Sequence, residues 1–278
     1  MRLEYLPLDI WSIIQSYLAE DLYFLPLEYI SYYRASKEDL KNICLPRLRM
    51  LDIRYHNRDL YFLKNIPQLE YLNISFYNGN IYPLYHLTKL TYLNMWIYDG
   101  DITPLSNLKS LTYLNLWSFN DNLSPISNLT SLKKLKLGSF RGDISPLKEL
   151  KNLEDLDISS YMGNIDILSN LTSIKSLKMW FFDKDLSPIK NMKLKELVLG
   201  NYIDDLSPIK GMPLELLTLY CYRKDLSILS EFKDLKILIL NSYNSNISFL
   251  NDLKKLELLD ISSYQGDISH LNIKKIYN

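Results

Sequence analysis

The pattern Leu-x-x-Leu-x-Leu returns every 21 residues along this chain, so the leucines of one copy can be buried only against the copies on either side of it. Copies begin at Leu48, Leu69, Leu90, Leu111, Leu132, Leu153, Ile174, Leu194, Leu214, Leu235 and Leu256, with two steps of 20 among the steps of 21. A truncated further copy starts at Ile273. The averaged copy reads L-x-x-L-x-L-x-S-Y-x-G-D-I-S-P-L-x-x-L-x-x. Its first six residues predict a strand, because the later apolar positions alternate with polar ones at period 2 and each neighbouring copy offers an identical partner. One copy thus supplies one strand of a parallel sheet.

The other end of the copy has its own punctuation. Asp101-Ile-Thr-Pro-Leu105, Asp143-Ile-Ser-Pro-Leu147, Asp185-Leu-Ser-Pro-Ile189 and Asp205-Leu-Ser-Pro-Ile209 place Ser or Thr before Pro, which reads as a helix cap followed by Pro in the first turn. The turn has to be short, since about four residues separate that Pro from the next strand. The expected fold is an α/β solenoid: a curved parallel β-sheet on the concave face, short helical or 3-10 turns on the convex face, and an N-terminal helical cap. Residues 1–26 form the helical segment, 27–47 a degenerate capping repeat, 48–272 the repeats and 273–278 a partial terminal strand.

Two more columns follow the strand. Three residues after its last apolar position stand Tyr77, Tyr98, Phe119, Phe140, Tyr161, Phe182, Tyr202, Tyr222, Tyr243 and Tyr264, with His56 at the start. Stacked one strand spacing apart, about 4.8 Å, such rings form an aromatic spine or a row of half-exposed turn residues. Three residues further on, each copy has Asp or Asn. The consecutive acids Asp185, Asp205 and Asp225 predict a raised pKa for Asp205 unless backbone N–H groups compensate.

Function is expected on the outward strand positions, which a solenoid joins into one surface. Tyr71, Tyr92, Tyr113, Trp96, Trp117 and Trp180, with Asn94 and Asn115 as orienting donors and acceptors, have the composition favoured at binding hot spots. A second, apolar patch comprises Val198, Leu216, Ile237, Ile239 and Leu258, the kind of surface usually covered, here by a second copy through the C-terminal repeats or by the tail.

Composition bounds the partners. The formal net charge is zero, which recommends neither nucleic acid nor an anionic membrane surface. No apolar run approaches the roughly 18 residues that span a bilayer. The three histidines occupy different repeats and columns, and no Gly-rich phosphate loop is present, so a non-catalytic protein without metal or cofactor is expected. Cys44 and Cys221 lie too far apart in a linear stack to bridge, and reduced thiols with no signal peptide place the chain in the cytoplasm.

The repeat resembles the leucine-rich repeat family, most closely the short D-I-S-P-L repeats of internalin-like proteins, over about residues 48–272. It departs from the family at the aromatic column, where Asn is usual. Residues 6–22 resemble the first half of an F-box: Leu6-Pro7, an acidic residue, then Ile10, Ile13, Ile14, Tyr17 and Leu18, followed by Asp21-Leu22. That resemblance implies a substrate receptor of a cullin-type ubiquitin ligase, with Leu6, Pro7, Ile10, Ile13, Ile14 and Leu18 at adaptor-facing or core positions and a protein held by the repeats. The same apolar helix serves equally as a plain cap on the first repeat, leaving a scaffold that binds or self-associates. In style the chain also resembles the boxed repeat proteins of giant DNA viruses of amoebae, which would set it in a host cytoplasm.

Overall fold

Residues 29–31, 48–269, 271 and 273–277 are described by the structure, a computed structural model. The helical segment 1–26, with Leu6, Pro7, Ile10, Ile13, Ile14 and Leu18, most of the capping repeat 27–47, and Cys44 lie outside the described residues. The chain divides into two units, Met1–Lys136 and Leu137–Asn278.

Each repeat yields a short strand because its inward leucines are removed from water while its backbone pairs with the same stretch of the next copy. In the first unit β1 (Tyr29–Ser31), β2 (Met50–Asp52), β3 (Tyr71–Asn73), β4 (Tyr92–Asn94), β5 (Tyr113–Asn115) and β6 (Lys134–Lys136) pair in chain order, all parallel. The register sets like positions side by side: Tyr71 faces Tyr92, which faces Tyr113. In the second unit β7 (Asp155–Asp157), β8 (Ser176–Trp180), β9 (Glu196–Gly200), β10 (Leu216–Tyr220), β11 (Ile237–Asn241), β12 (Leu258–Asp260) and β13 (Lys275–Tyr277) do the same. The last pairing sets Leu258 against Lys275, a step of 17 residues (275 minus 258).

Behind each strand from β2 to β11 the chain returns through a 3-10 turn, as expected. Most turns run five residues, such as Thr103–Asn107, but Ser187–Ile189 and Ser207–Ile209 run three. These two lie in the repeats with 20-residue steps, so the missing residue is taken from the turn and the strand register survives. The caps differ from the expectation. Ser and Thr do not cap; the Asp or Asn two residues earlier does. Asp101 Oδ1 accepts the Thr103 N–H at 2.8 Å and its hydroxyl at 2.6 Å, and Asn122 Oδ1 accepts the Ser124 N–H at 2.9 Å. The following Pro has no N–H to satisfy, which leaves the donor of the Ser or Thr as the one needing a partner.

The same bonds correct the expectation for Asp205. Its carboxylate receives the Ser207 N–H at 2.9 Å and the Ser207 hydroxyl, and these donors hold its pKa below the ordinary value. Asp101, Asp143 and Asp185 are lowered by the equivalent bonds. Two short, directed hydrogen bonds outweigh the repulsion of solvated neighbouring carboxylates.

Leu69, Leu72 and Ile74 are fully buried, and their equivalents from Leu48 to Ile261 are no more than 7% exposed. Such side chains contribute roughly 1.5–3 kcal/mol each in transfer free energy. The aromatic column is the spine rather than an exposed row: Tyr77, Tyr98, Phe119, Phe140, Phe182 and Tyr202 are no more than 2% exposed. Neighbouring rings lie parallel with centroids at 6.1–6.4 Å, offset more than one strand spacing would give. Burial raises the phenol pKa, to about 12 at Tyr77 and Tyr222, with nearby Asp carboxylates adding to it. The hydroxyls of Tyr77, Tyr98, Tyr161, Tyr202, Tyr222 and Tyr243 donate to main-chain carbonyls, as from Tyr202 to Asp205 O at 2.9 Å. Beside Tyr77, Tyr98, Phe140, Tyr161 and Tyr264 the chain is glycine, and a Cβ at Gly142 would lie 2.7 Å from Phe140 Cζ.

Candidate protein-docking face

On the first unit the tyrosines of β3, β4 and β5 stack face to face, Tyr71 on Tyr92 at 4.3 Å and Tyr92 on Tyr113 at 4.1 Å, with interplanar angles of 12° and 5°. Register imposes this, since parallel pairing puts identical side chains at one strand spacing. The next outward column holds the amides. Asn94 Oδ1 accepts the Trp96 N–H at 3.2 Å and Asn115 Oδ1 accepts the Trp117 N–H at 3.0 Å. These asparagines were expected to be both donors and acceptors; their carbonyls are committed to the strand ends, so what they offer outward is the amide N–H₂. In the first repeats the column is sealed instead. Asp52, 4% exposed, accepts from the Arg54 side chain at 2.9 Å and from Asn73 Nδ2 at 3.1 Å, which neutralises its charge.

Beyond the amides stand Trp96, 41% exposed, and half-buried Trp117. Among the described residues neither indole N–H has an acceptor. Beside them lies a group that sequence reasoning missed. After each strand the chain turns through four residues, closed by bonds such as Tyr77 N–H to Ile74 O at 3.0 Å, and the third residue takes a left-handed conformation, as in a type II turn. In later repeats that residue is often Ser or Asn, but here it is Tyr55 (φ 62°), Phe76 (φ 66°) and Ile97 (φ 58°). Bulky and β-branched residues are disfavoured there. Phe76 stacks on Tyr55 at 4.4 Å and meets the Trp96 ring edge-on at 4.9 Å. Tyr55 and Ile97 are 55% and 44% exposed, so they gain little burial for the strain. The signal was available as a departure from Ser in one column, but only the turn geometry gives it meaning.

The second unit treats its outward residues differently. Trp180 lies across Gly200, where a Cβ would collide with its ring, and contacts Tyr220 at 5.1 Å. It joins no tyrosine stack, and the structure does not group it with Tyr92, Trp96 and Trp117. The apolar patch is also less open than expected. Val198 is 7% exposed, and Leu216, Ile237, Ile239 and Leu258 are half-buried, because in-register aliphatic neighbours cover one another. Charges around it are paired: Lys178 with Glu196 at 3.4 Å, and Glu215 between Lys195 at 2.9 Å and Lys236 at 2.6 Å. The two lysines hold the Glu215 pKa down at about 2.

Among the described residues no group of three or more His, Cys, Asp or Glu is placed to hold a metal ion, and no helix is long and apolar enough to cross a membrane. His56, half-buried against Tyr77, has its pKa lowered by burial.

One parallel strand and one 3-10 turn per 20–21 residues define the leucine-rich repeat solenoid, and this chain has that fold. Solved structures carry the same fold. An internalin (inlF) from Listeria monocytogenes is similar at 28% identity and a TM-score of 0.72, over 88% of this chain and 77% of that one. Internalin C2 of the same organism matches at 26% identity and a TM-score of 0.56, over 66% of this chain and 84% of that one. The plant peptide hormone receptor RGFR1, solved in complex with RGF2, shares the fold at 17% identity and a TM-score of 0.58, over 87% of this chain and 42% of that one. No protein-family model and no curated protein matches the sequence.

Proposed function

We propose that the chain is a non-catalytic interaction protein that holds a protein partner on the strand face of its first unit. The observation that carries this reading is the joint exposure of Trp96, Tyr55 and Ile97, two of them in strained conformations, beside a tyrosine stack and amide donors without acceptors. A chain selected only for stability gains nothing from that combination. The complex of RGFR1 with RGF2 supports the reading, since a peptide-binding receptor shares the fold. Replacing Trp96 and Trp117 together by Ala should abolish partner capture and leave the far-ultraviolet circular dichroism unchanged; undiminished capture contradicts the proposal.

A finer reading rests on the F-box resemblance of residues 6–22. The N-terminal segment would recruit the adaptor of a cullin-type ligase in the cytoplasm while the repeats hold the substrate. Deleting residues 1–26 should then remove adaptor binding with a modest effect on melting. A sharp loss of stability with no adaptor binding in the intact chain identifies a cap instead.

A further inference from the structure

The strip between the tyrosine stack and Trp96 is one-sided in its hydrogen bonding. The amide groups of Asn94 and Asn115 and the indole N–H groups of Trp96 and Trp117 are donors with no acceptor among the described residues, and the Asn carbonyls that could have accepted are occupied by Trp96 N–H and Trp117 N–H. The strand-end backbone is engaged in its own ladder, as from Met95 N–H to Asn115 O at 2.9 Å. Arg54 and Asn73 close off the Asp52 carboxylate, and on the β6 side the cations Lys134 and Lys136 stand in register with Tyr113 and Asn115. A fitting occupant therefore brings acceptors, few donors, no positive charge and apolar rings.

Resting on the docking face argued above, we propose that this strip takes a proline-rich segment in the polyproline II conformation. Such a segment makes no internal hydrogen bonds, so its carbonyls are free, and proline brings no N–H to a strip that offers mainly donors. Pyrrolidine rings pack on aromatic walls, here the Tyr71–Tyr92–Tyr113 stack on one side and Trp96 on the other. The repeat lengths agree as well. Three polyproline residues advance about 9.3 Å, close to the roughly 9.6 Å of two strand spacings, so a segment lying across the strands keeps step with them. An extended β segment presents an N–H at every position, and its side chains repeat every two residues, about 6.6 Å, which matches neither one strand spacing nor two.

The test is a fluorescence anisotropy titration of the full chain with a labelled oligoproline of about ten residues and a Gly-Ser peptide of equal length. The oligoproline should bind at least about tenfold tighter, with little dependence on salt. Asn94→Asp with Asn115→Asp keeps an acceptor for each Trp N–H but replaces the outward donors by acceptors, and should weaken binding by about tenfold or more. In the unaltered protein, oligoproline should shift the indole N–H resonances of Trp96 and Trp117 and leave that of Trp180 in place. Equal binding of the two peptides, or undiminished affinity in the double Asp variant, overturns the proposal. If oligoproline is ignored but Trp96→Ala with Trp117→Ala still loses the cellular partner, the proline assignment falls and the docking face stands.

Discussion

Trp96 in the first unit and Trp180 in the second occupy the same position of their repeats, yet one stands 41% exposed in an aromatic cluster and the other lies over a glycine. The difference comes from the next strand. Trp96 is followed by Trp117 rather than by a glycine, and its ring meets Phe76 edge-on. Trp180 is followed by Gly200, whose missing side chain opens a seat that Trp180 fills and Tyr220 closes. Column position sets which way a side chain points, and at Trp180 the open space over Gly200 sets how far the ring folds down.

The comparison can be broken or sharpened by substitution. Both units share the buried spine, so Phe119→Ala and Phe182→Ala should each cost about 3–5 kcal/mol in urea denaturation. A large disparity between them would mean that the two spines are not equivalent. Gly200→Ala should cost about 1–3 kcal/mol by overpacking, and the displaced Trp180 should become easier to quench with acrylamide. Unchanged quenching would show that the glycine is not what seats the ring. At the turns, Asp101→Ala should cost about 1 kcal/mol and Asp101→Asn much less, because the amide oxygen still accepts the Thr103 N–H.

The acid and alkaline limits probe the caps and the spine separately. Asp101, Asp143, Asp185 and Asp205 titrate below the ordinary 3.8 when folded, so their contribution is complete above that pH and is lost as pH falls through the lower folded values. Tyr77 and Tyr222 are shifted the other way. Below pH 10 folded and unfolded chains are both protonated there; between 10 and about 12 only the unfolded chain ionises, so stability should decline across that window. A melting temperature flat from pH 10 to 12 would show that the spine opens to water.

Much of the fold was legible because the 21-residue period, the inward leucines and the aromatic column each repeat at fixed offsets, and repetition in a stack becomes contact. The candidate face was legible in part. Tyr71, Tyr92 and Tyr113 had to meet once the register was known, but the use of the Asn94 and Asn115 carbonyls depends on the chain bending back at the strand end. The left-handed position was hidden because no glycine marks it: Tyr55, Phe76, Ile97 and Ser118 all occupy it. Cap chemistry misled for a related reason, since Asp, Ser and Pro all carry capping signals and only geometry shows which oxygen receives the N–H. The burial of Val198 depends on the length and branching of its neighbours, which a polar–apolar pattern does not encode.

The most direct test of the account sets Trp96→Ala with Trp117→Ala beside Trp180→Ala, measuring partner capture from native extract and the urea midpoint for each. The first variant should lose capture with its far-ultraviolet circular dichroism unchanged, and the second should keep capture while losing about 2 kcal/mol. The reverse outcome, capture lost with Trp180 and kept without Trp96 and Trp117, would contradict it.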